Sequence, residues 1–275
     1  MNSSVRKCVV RRIDNGKSRV ETDLVATEEP LEIQLSFERG KQRVNRTVSV
    51  TMRTPGNDAE LAAGLLFAEG ILQDVEQIDR IETSDENRVR LALKPGITVD
   101  LRRLERNFYT SSSCGVCGKT SLEQLQFDRP ALHAESPSLF VNAEVIHQLP
   151  NALKSAQTLF SSTGGLHAAA LFDPEGNLVD IREDVGRHNA VDKLIGAQLL
   201  AHQKPPFANR VLFLSGRAGF ELIQKAVTAG IRIVAAVGAP SSLAVEMAQI
   251  NGITLAGFVR NRRFNLYCDP ERLNI

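Results

Sequence analysis

The chain has 275 residues, enough for one large domain or two unequal ones. Its 33 Lys and Arg residues against 32 Asp and Glu residues give a net charge of +1, which argues against nucleic acid as a partner. We expect no membrane span and a cytoplasmic location, because no apolar run reaches about 18 residues and the basic N-terminus lacks a secretory apolar region. Its 4 cysteines are too few for a disulfide scaffold.

Residues 1–105 are predicted to form a small α+β domain. The first 25 residues are polar and mixed, which predicts an edge strand or a loose arm. Strict alternation over residues 31–37 predicts a half-buried strand, with residues 46–52 as its hairpin partner. A helix is expected from Asp58, and two further strands between residues 77 and 93.

Residues 106–137 are predicted to form an exposed loop and linker that carries Cys114 and Cys117. Two residues between these cysteines allow both sulfurs to face one space, where they can form a disulfide, share a metal or transfer a group. A zinc site would need two more ligands, and the isolated Cys8 and Cys268 do not supply them. Thiol chemistry is therefore favoured over metal binding, with a chance pair of loop cysteines as the alternative.

Residues 138–275 are predicted to form the second domain. Apolar strands there alternate with helices, which is typical of a largely parallel sheet covered on both faces. Strands are expected at residues 166–172, 178–181, 210–214, 231–237 and 254–259.

Candidate binding residues follow these strands. Arg187 and His188 stand where a strand leads into a helix, a position suited to a phosphate. Arg217 lies in a second Gly-containing turn of the same kind. Gly164 and His167 belong to a Gly-Gly loop that would allow close approach of a ligand, although paired glycines alone are weak evidence.

The segment after the last predicted strand carries three arginines within four residues. Arg260, Arg262 and Arg263 could bind phosphates bidentately, or they could form a solvated basic turn. Because several such strand ends should meet at one sheet edge, a shared anion site is favoured over separate solvated turns. Asp192 and Lys193, on the helix that follows Arg187 and His188, are expected to be surface charges.

The assembled motifs resemble the FdhD/NarQ family of formate dehydrogenase accessory proteins. The resemblance runs from about residue 25 to the end of the chain. It rests on the following segments, in order: AELAAGLLFAEGIL, SSSCGVCG, STGGLHAAALF, EDVGRHNAVDKLIG, SGRAGFELIQKA and GFVRNRRFNLY. It implies a three-layer, cytidine deaminase-like α/β domain with a mostly parallel sheet, preceded by the smaller α+β domain.

The resemblance also implies a function. A persulfide sulfur would pass from a cysteine desulfurase to Cys114, with Cys117 as the second cysteine, and then to a bis(molybdopterin guanine dinucleotide) molybdenum cofactor destined for formate dehydrogenase. GDP would mimic this cargo. The implied cofactor-binding residues are Phe258, Val259, Arg260, Asn261, Arg262 and Arg263.

Two other functions remain open at this point. A zinc deaminase would need a Glu and a Cys pair in the strand-to-helix turns, and neither turn contains them, so no zinc is expected. A chaperone could bind the cofactor and the dehydrogenase without moving sulfur. Independently of these functions, apolar edge strands favour a homodimer.

Overall fold

The structure is a computed structural model that describes residues 4–40, 42–100 and 139–275. The predicted loop with Cys114 and Cys117 lies outside the described residues. The first part of the chain contains β1 (Val5–Asp14), β2 (Lys17–Ala26), β3 (Glu29–Arg39), β4 (Gln42–Arg53), α1 (Asp58–Ala68), β5 (Ile78–Asp85) and β6 (Arg88–Leu93).

The second part contains the remaining elements. They are β7 (Val141–Asn142), α2 (Ala143–Ala156), α3 (Thr158–Thr163), β8 (His167–Phe172), β9 (Leu178–Asp184), α4 (Arg187–Leu200), β10 (Val211–Leu214), α5 (Phe220–Thr228), β11 (Ile233–Ala236), α6 (Ser242–Ile250), β12 (Thr254–Arg260), β13 (Arg263–Cys268) and β14 (Leu273–Asn274). Each of the five strands expected here overlaps one of these strands.

Four strands of the first part form a sheet in the order β4-β3-β6-β5. The alternation in β3 places Leu31, Ile33 and Leu35 on one face, where all three are fully buried. They pack in one core with Leu61 and Leu66 of α1. The strands predicted between residues 31 and 93 and the helix predicted from Asp58 are therefore confirmed.

The first 25 residues form a hairpin of β1 and β2, so the expected single edge strand or loose arm is wrong. The two strands pair along their whole length, from Val5 with Ala26 to Asp14 with Lys17. The turn between them is Asn15-Gly16, and both residues have positive φ, at 47° and 78°. An Asn-Gly pair supplies this left-handed backbone, which makes it a strong hairpin signal.

A six-stranded sheet in the order β13-β12-β11-β10-β8-β9 forms the second part. The neighbours β10, β11 and β12 are parallel, and β8 is antiparallel to both β10 and β9. Strands β9 to β12 therefore run in one direction, while β8 and β13 oppose them. This mixed sheet with helices confirms the predicted α/β fold class.

Both faces of this sheet are covered. Leu212 and Leu214 of β10 pack in the core that contains residues of α4, α5 and α6. The alternate residues Val211 and Phe213 pack in a second core with Ile146 and neighbouring residues of α2. A strand buried on both faces has a continuous apolar sequence, which is why the apolar runs predicted a sheet covered on both faces.

Helix α1 connects the two parts by packing closely against α4. A Cβ added to Gly64 would lie 1.9 Å from the Asp192 carbonyl oxygen, and one added to Gly196 would lie 1.8 Å from the Glu60 carbonyl oxygen. The two glycines therefore let the helix backbones approach each other directly. This contact fixes the orientation of α4, whose N-terminus carries Arg187 and His188.

Within the described ranges, no helix combines the length and apolarity needed to cross a bilayer. The predicted domain boundaries, at residues 1–105, 106–137 and 138–275, stay a prediction.

Candidate functional site

The polar strand ends predicted from the sequence meet at one edge of the six-stranded sheet. Since β9 to β12 run in one direction, their carboxyl ends lie at this edge, together with the start of β8. Backbone hydrogen bonds tie neighbouring ends together. The Gly238 amide donates to the Gly216 carbonyl at 3.0 Å, and the Phe258 amide donates to the Gly238 carbonyl at 3.1 Å. We call this the cationic edge, comprising Arg187, His188, His167, Ser215 to Arg217, Gly238, Phe258 and Arg260 to Arg263.

Glycines allow the loops of the cationic edge to pack this tightly. A Cβ on Gly238 would lie 2.9 Å from the Gly216 carbonyl oxygen and 3.0 Å from the Arg217 Cα. A Cβ on Gly216 would lie 3.2 Å from Nδ1 of His167. The His167 ring therefore lies against the backbone of the turn that carries Arg217. Arg217 itself is exposed.

Arg187 and His188 occupy the first turn of α4. His188 Nε2 lies 3.2 Å from Oε2 of Glu221, and the His188 side chain is only 20% exposed. Burial lowers the pKa of His188 to about 3, and the nearby charges of Lys225, Arg187 and His167 act in the same direction. His188 is therefore a neutral imidazole at physiological pH.

Arg187 lies beside this imidazole. Its Nε is buried and makes no hydrogen bond within the described part of the chain. Burial, followed by the charge of Arg187, also lowers the pKa of His167. Arg187 thus supplies positive charge to the cationic edge beside two uncharged imidazoles.

Gly164 ends α3 with a left-handed backbone, at φ 67°, and lies on the connection into β8. That connection runs beside the hairpin, because a Cβ on Gly165 would lie 3.8 Å from Cβ of Ala26. Gly164 thus lies on the β1–β2 side of the cationic edge, and His167 lies next to the turn of Gly216.

The arginine-rich segment forms the tight turn between β12 and β13. Asn261 and Arg262 both have positive φ, at 51° and 55°. The Arg262 guanidinium donates to both carboxylate oxygens of Glu144, on α2, at 2.7 Å each. Arg262 is therefore already paired, whereas no ion pair is found for the exposed Arg260 and Arg263 within the described residues.

Phe258 and Val259 differ in what they can offer a ligand. Phe258 is half-buried with a left-handed backbone at φ 55°, where the pairing of β12 with β13 shifts register. Val259 is fully buried and packs in the core beneath α2. Val259 is therefore a core residue, and Phe258 is the more accessible of the two.

Lys193 is not a surface charge, and that expectation is wrong. Its side chain is 1% exposed, and its Nζ lies 2.7 Å from Oδ2 of the fully buried Asp184. Nζ also donates to the Thr54 carbonyl at 2.8 Å. This buried pair links the end of β9 to the segment after β4.

Asp192 is buried as well, so its expected exposure is also wrong. Its Oδ1 lies 2.6 Å from Nζ of Lys225, which is on α5. The expectation failed because α4 is enclosed by α1, α5 and the sheet on nearly all sides. A charged residue in such a helix is buried unless it lies on the one open side, and here both found partners of opposite charge.

Two residues of the site were missed in the sequence. Glu221 was passed over although it stands two residues after Gly219, in the first turn of the helix predicted after Arg217. Glu144 gave no local signal, because it pairs with a residue 118 positions away. Both carboxylates hold a basic side chain of the cationic edge, His188 in one case and Arg262 in the other.

Known proteins resemble the chain over almost its whole length. A model of the FdhD/NarQ family matches residues 26–274. A protein of Streptomyces avermitilis named sulfur carrier protein FdhD is 45% identical over 273 residues, covering 96% of this chain and 94% of its own. A protein of the same name from Sulfolobus acidocaldarius is 40% identical over 271 residues, covering 98% of this chain and 99% of its own.

A solved structure agrees with these matches. The crystal structure of a formate dehydrogenase accessory protein from Desulfotalea psychrophila superposes with a TM-score of 0.74 at 26% sequence identity. The match covers 99% of this chain and 100% of that chain. The similarity therefore extends over both the four-stranded and the six-stranded sheet.

Proposed function

Because the chain belongs to the FdhD/NarQ family, we propose that it is a sulfur carrier that loads persulfide sulfur on Cys114 and delivers it to the molybdenum cofactor of a formate dehydrogenase. The donor is a cysteine desulfurase, and the cargo is bis(molybdopterin guanine dinucleotide). One observation carries the proposal, namely identity of 40% to 45% over nearly the full chain to proteins named sulfur carriers.

The transfer has two steps. The Cys114 thiolate attacks the outer sulfur of the desulfurase persulfide, whose own cysteine leaves as a thiolate, so that Cys114 becomes the persulfide. The Cys117 thiolate then attacks the inner sulfur, forms a disulfide with Cys114 and releases the outer sulfur as hydrosulfide at the cofactor. An external thiol reduces the disulfide before the next cycle.

The cationic edge supports binding of the cargo. The cofactor carries pyrophosphate groups, and guanidinium groups bind phosphate oxygens through charge-assisted hydrogen bonds. Arg187, Arg217, Arg260 and Arg263 bring such groups to one edge of the sheet, beside the first turns of α4 and α5, whose dipoles also favour anions.

Sulfur loading tests the carrier step. Wild-type protein incubated with a cysteine desulfurase and cysteine is expected to gain the mass of one sulfur atom, which a reducing thiol removes. Cys114→Ala is expected to gain none, whereas Cys117→Ala still gains it.

Cys268→Ala and Cys8→Ala provide matched controls for this measurement. Burial and then the charge of Asp269 raise the pKa of the Cys268 thiol, so it is a weaker nucleophile at neutral pH. Both control variants are expected to load like the wild type. Loading of Cys114→Ala would contradict the proposal. Full formate dehydrogenase activity with both Cys114 and Cys117 replaced by Ser would favour the cofactor chaperone instead.

GDP binding tests the cargo site. Arg260→Gln and Arg263→Gln are each expected to weaken GDP binding by about tenfold or more, because each removes a hydrogen bond from a charged group to phosphate. Arg262→Gln is the matched control and is expected to lose less, since Glu144 already occupies its guanidinium. Isothermal titration gives the affinities. An equal loss in all three variants would contradict this division of roles.

The homodimer stays a prediction. On one face of the β1–β2 hairpin, Val9, Ile13 and Val20 are each more than half exposed. Light scattering of the purified chain reports its oligomeric state.

A further inference from the structure

The side chain of Asn189 connects the start of α4 to the first part of the chain. It is only 8% exposed and lies in the first turn of α4, two residues after Arg187. Its Nδ2 donates to the Met52 carbonyl at 2.8 Å, and its Oδ1 accepts from the Thr51 hydroxyl at 3.3 Å. Both partners belong to β4. Asn189 therefore binds the beginning of α4 to the end of β4.

The same amide group also fixes the residue before Arg187. Nδ2 of Asn189 donates to Oδ1 of Asp184 at 3.0 Å, and this oxygen also accepts from the Gly186 amide at 2.8 Å. A Cβ added to Gly186 would lie 3.1 Å from Nδ2 of Asn189, so the Gly186 backbone packs directly on the Asn189 side chain. Arg187 therefore lies between two residues that both bind Asp184.

The first turn of α4 has no side-chain cap of its own. The first amides of a helix have no partner within the helix, and a side chain at the N-cap commonly stabilises this end. The N-cap of α4 is Gly186, which offers no side-chain acceptor. The turn is closed by the Ala190 amide, which donates to the Gly186 carbonyl at 3.0 Å. The hydrogen bonds of Asn189 thus stabilise a helix end that would otherwise fray.

We infer that Asn189 is a positioning residue, which holds the first turn of α4 against β4 so that Arg187 binds the phosphates of the cargo from a fixed place. This inference rests on the proposed function for its ligand. It adds to that function a role for the first part of the chain, whose strand β4 supports the cationic edge. A side chain that is ordered before binding loses less conformational entropy on binding, which raises the affinity.

Hydrogen exchange tests the support of α4 without any ligand. The shorter side chain of Asn189→Ser lacks the amide group, and the Ala190 amide is expected to exchange about tenfold faster than in the wild type. The amide of Leu194, in the middle of α4, is expected to change less, because it exchanges only when more of the helix opens. NMR of ¹⁵N-labelled protein gives both rates. A loss of global stability alone would accelerate both amides equally.

GDP affinity tests whether Asn189 acts through Arg187. Asn189→Ser is expected to bind GDP about tenfold more weakly than the wild type. When Arg187→Gln is already present, Asn189→Ser is expected to cause little further loss, because the guanidinium that it positions is gone. A merely structural role would leave the affinity of the folded protein unchanged. Circular dichroism verifies that each variant is folded at the temperature of the titration.

Asn177→Ser is the matched control. Nδ2 of Asn177 also donates to a carboxylate, Oδ2 of Asp173, at 2.9 Å. The turn between β8 and β9 that contains both residues lies at the opposite end of these strands from the cationic edge. This variant is expected to change neither GDP affinity nor the exchange of the Ala190 amide.

Thr51→Val tests the inference even if Asn189→Ser does not fold. It removes one hydroxyl and keeps the shape of the side chain. It is expected to accelerate exchange of the Ala190 amide and to weaken GDP binding, each by about twofold to threefold, because one weak hydrogen bond to Asn189 is lost.

The inference would be overturned by unchanged exchange of the Ala190 amide in Asn189→Ser, or by unchanged GDP affinity of that variant. An equal loss of affinity with and without Arg187→Gln would also overturn it. If the wild type binds no GDP, the proposed cargo fails and the positioning role fails with it. The exchange measurement needs no cargo, and it therefore distinguishes that failure from an error about the hydrogen bonds of Asn189.

Discussion

The Asp184→Asn variant is expected to lose about 3–5 kcal/mol in free energy of unfolding, the cost of leaving a buried charge without its partner. Asp184 is fully buried and accepts four hydrogen bonds or ion-pair contacts. Oδ2 receives the Thr54 amide at 3.1 Å and Lys193 Nζ at 2.7 Å. Oδ1 receives the Gly186 amide at 2.8 Å and Asn189 Nδ2 at 3.0 Å.

The amide of Asn cannot replace this carboxylate. It has one acceptor oxygen in place of two, and its NH₂ group would face donors that already point at the site. The Lys193 ammonium would keep only the Thr54 carbonyl. The free energy is obtained from urea denaturation, with the slope of the transition compared between variants.

Glu144→Gln is the matched control, because it makes the same chemical change at an exposed ion pair. The side chains of Arg262 and Glu144 are 72% and 43% exposed, so water screens the pair and the loss is expected to be much smaller than that of Asp184→Asn. The double variant Asp184→Asn/Lys193→Met is expected to recover part of the loss, because it removes the unpaired charge. Equal losses in Asp184→Asn and Glu144→Gln would show that the buried pair does not stabilise the fold.

The Gly64→Ala variant is expected to destabilise the protein by at least about 1–3 kcal/mol, the usual cost of overpacking. The added methyl would lie 1.9 Å from the Asp192 carbonyl oxygen, which belongs to the backbone of α4 and cannot rotate away. Helices α1 and α4 would have to separate. In an exposed helix the same substitution would instead stabilise by about 1 kcal/mol, so the sign of the effect is informative.

Gly165→Ala serves as the control, because a Cβ there meets its nearest neighbour, Cβ of Ala26, at an ordinary 3.8 Å. Its free energy of unfolding is expected to change little. Gly196→Ala is expected to destabilise the protein like Gly64→Ala. The double variant is expected to lose less free energy of unfolding than the two single variants together, because one separation of the helices relieves both clashes. A stabilised Gly64→Ala would refute the close contact of α1 and α4.

Local patterns predicted most of the fold. The alternation in β3 identified a strand with one buried face. The apolar run of β10 identified a strand that is buried on both faces. The Asn15-Gly16 turn was also a usable signal, and the β1–β2 hairpin could have been predicted from it. The cationic edge was also predictable from the sequence, because the carboxyl ends of parallel strands meet at one edge of a sheet.

The contacts that specify the site were beyond such patterns. Pairing of Arg262 with Glu144 spans 118 positions, and the burial of Lys193 depends on Asp184 and on the segment after β4. A charged side chain carries the same local signal whether it is solvated or paired inside the protein. Only the packing of α4 on all sides decides between these cases.

Transfer of labelled sulfur tests the central proposal most directly. The chain is loaded with radiolabelled sulfur by a cysteine desulfurase, freed of the donor, and mixed with the guanine dinucleotide form of the cofactor. The proposal predicts that the label moves from the wild-type protein to the cofactor, and that Cys114→Ala, which cannot be loaded, delivers none. Label that stays on the wild-type protein, or an equal delivery by Cys114→Ala, would contradict it.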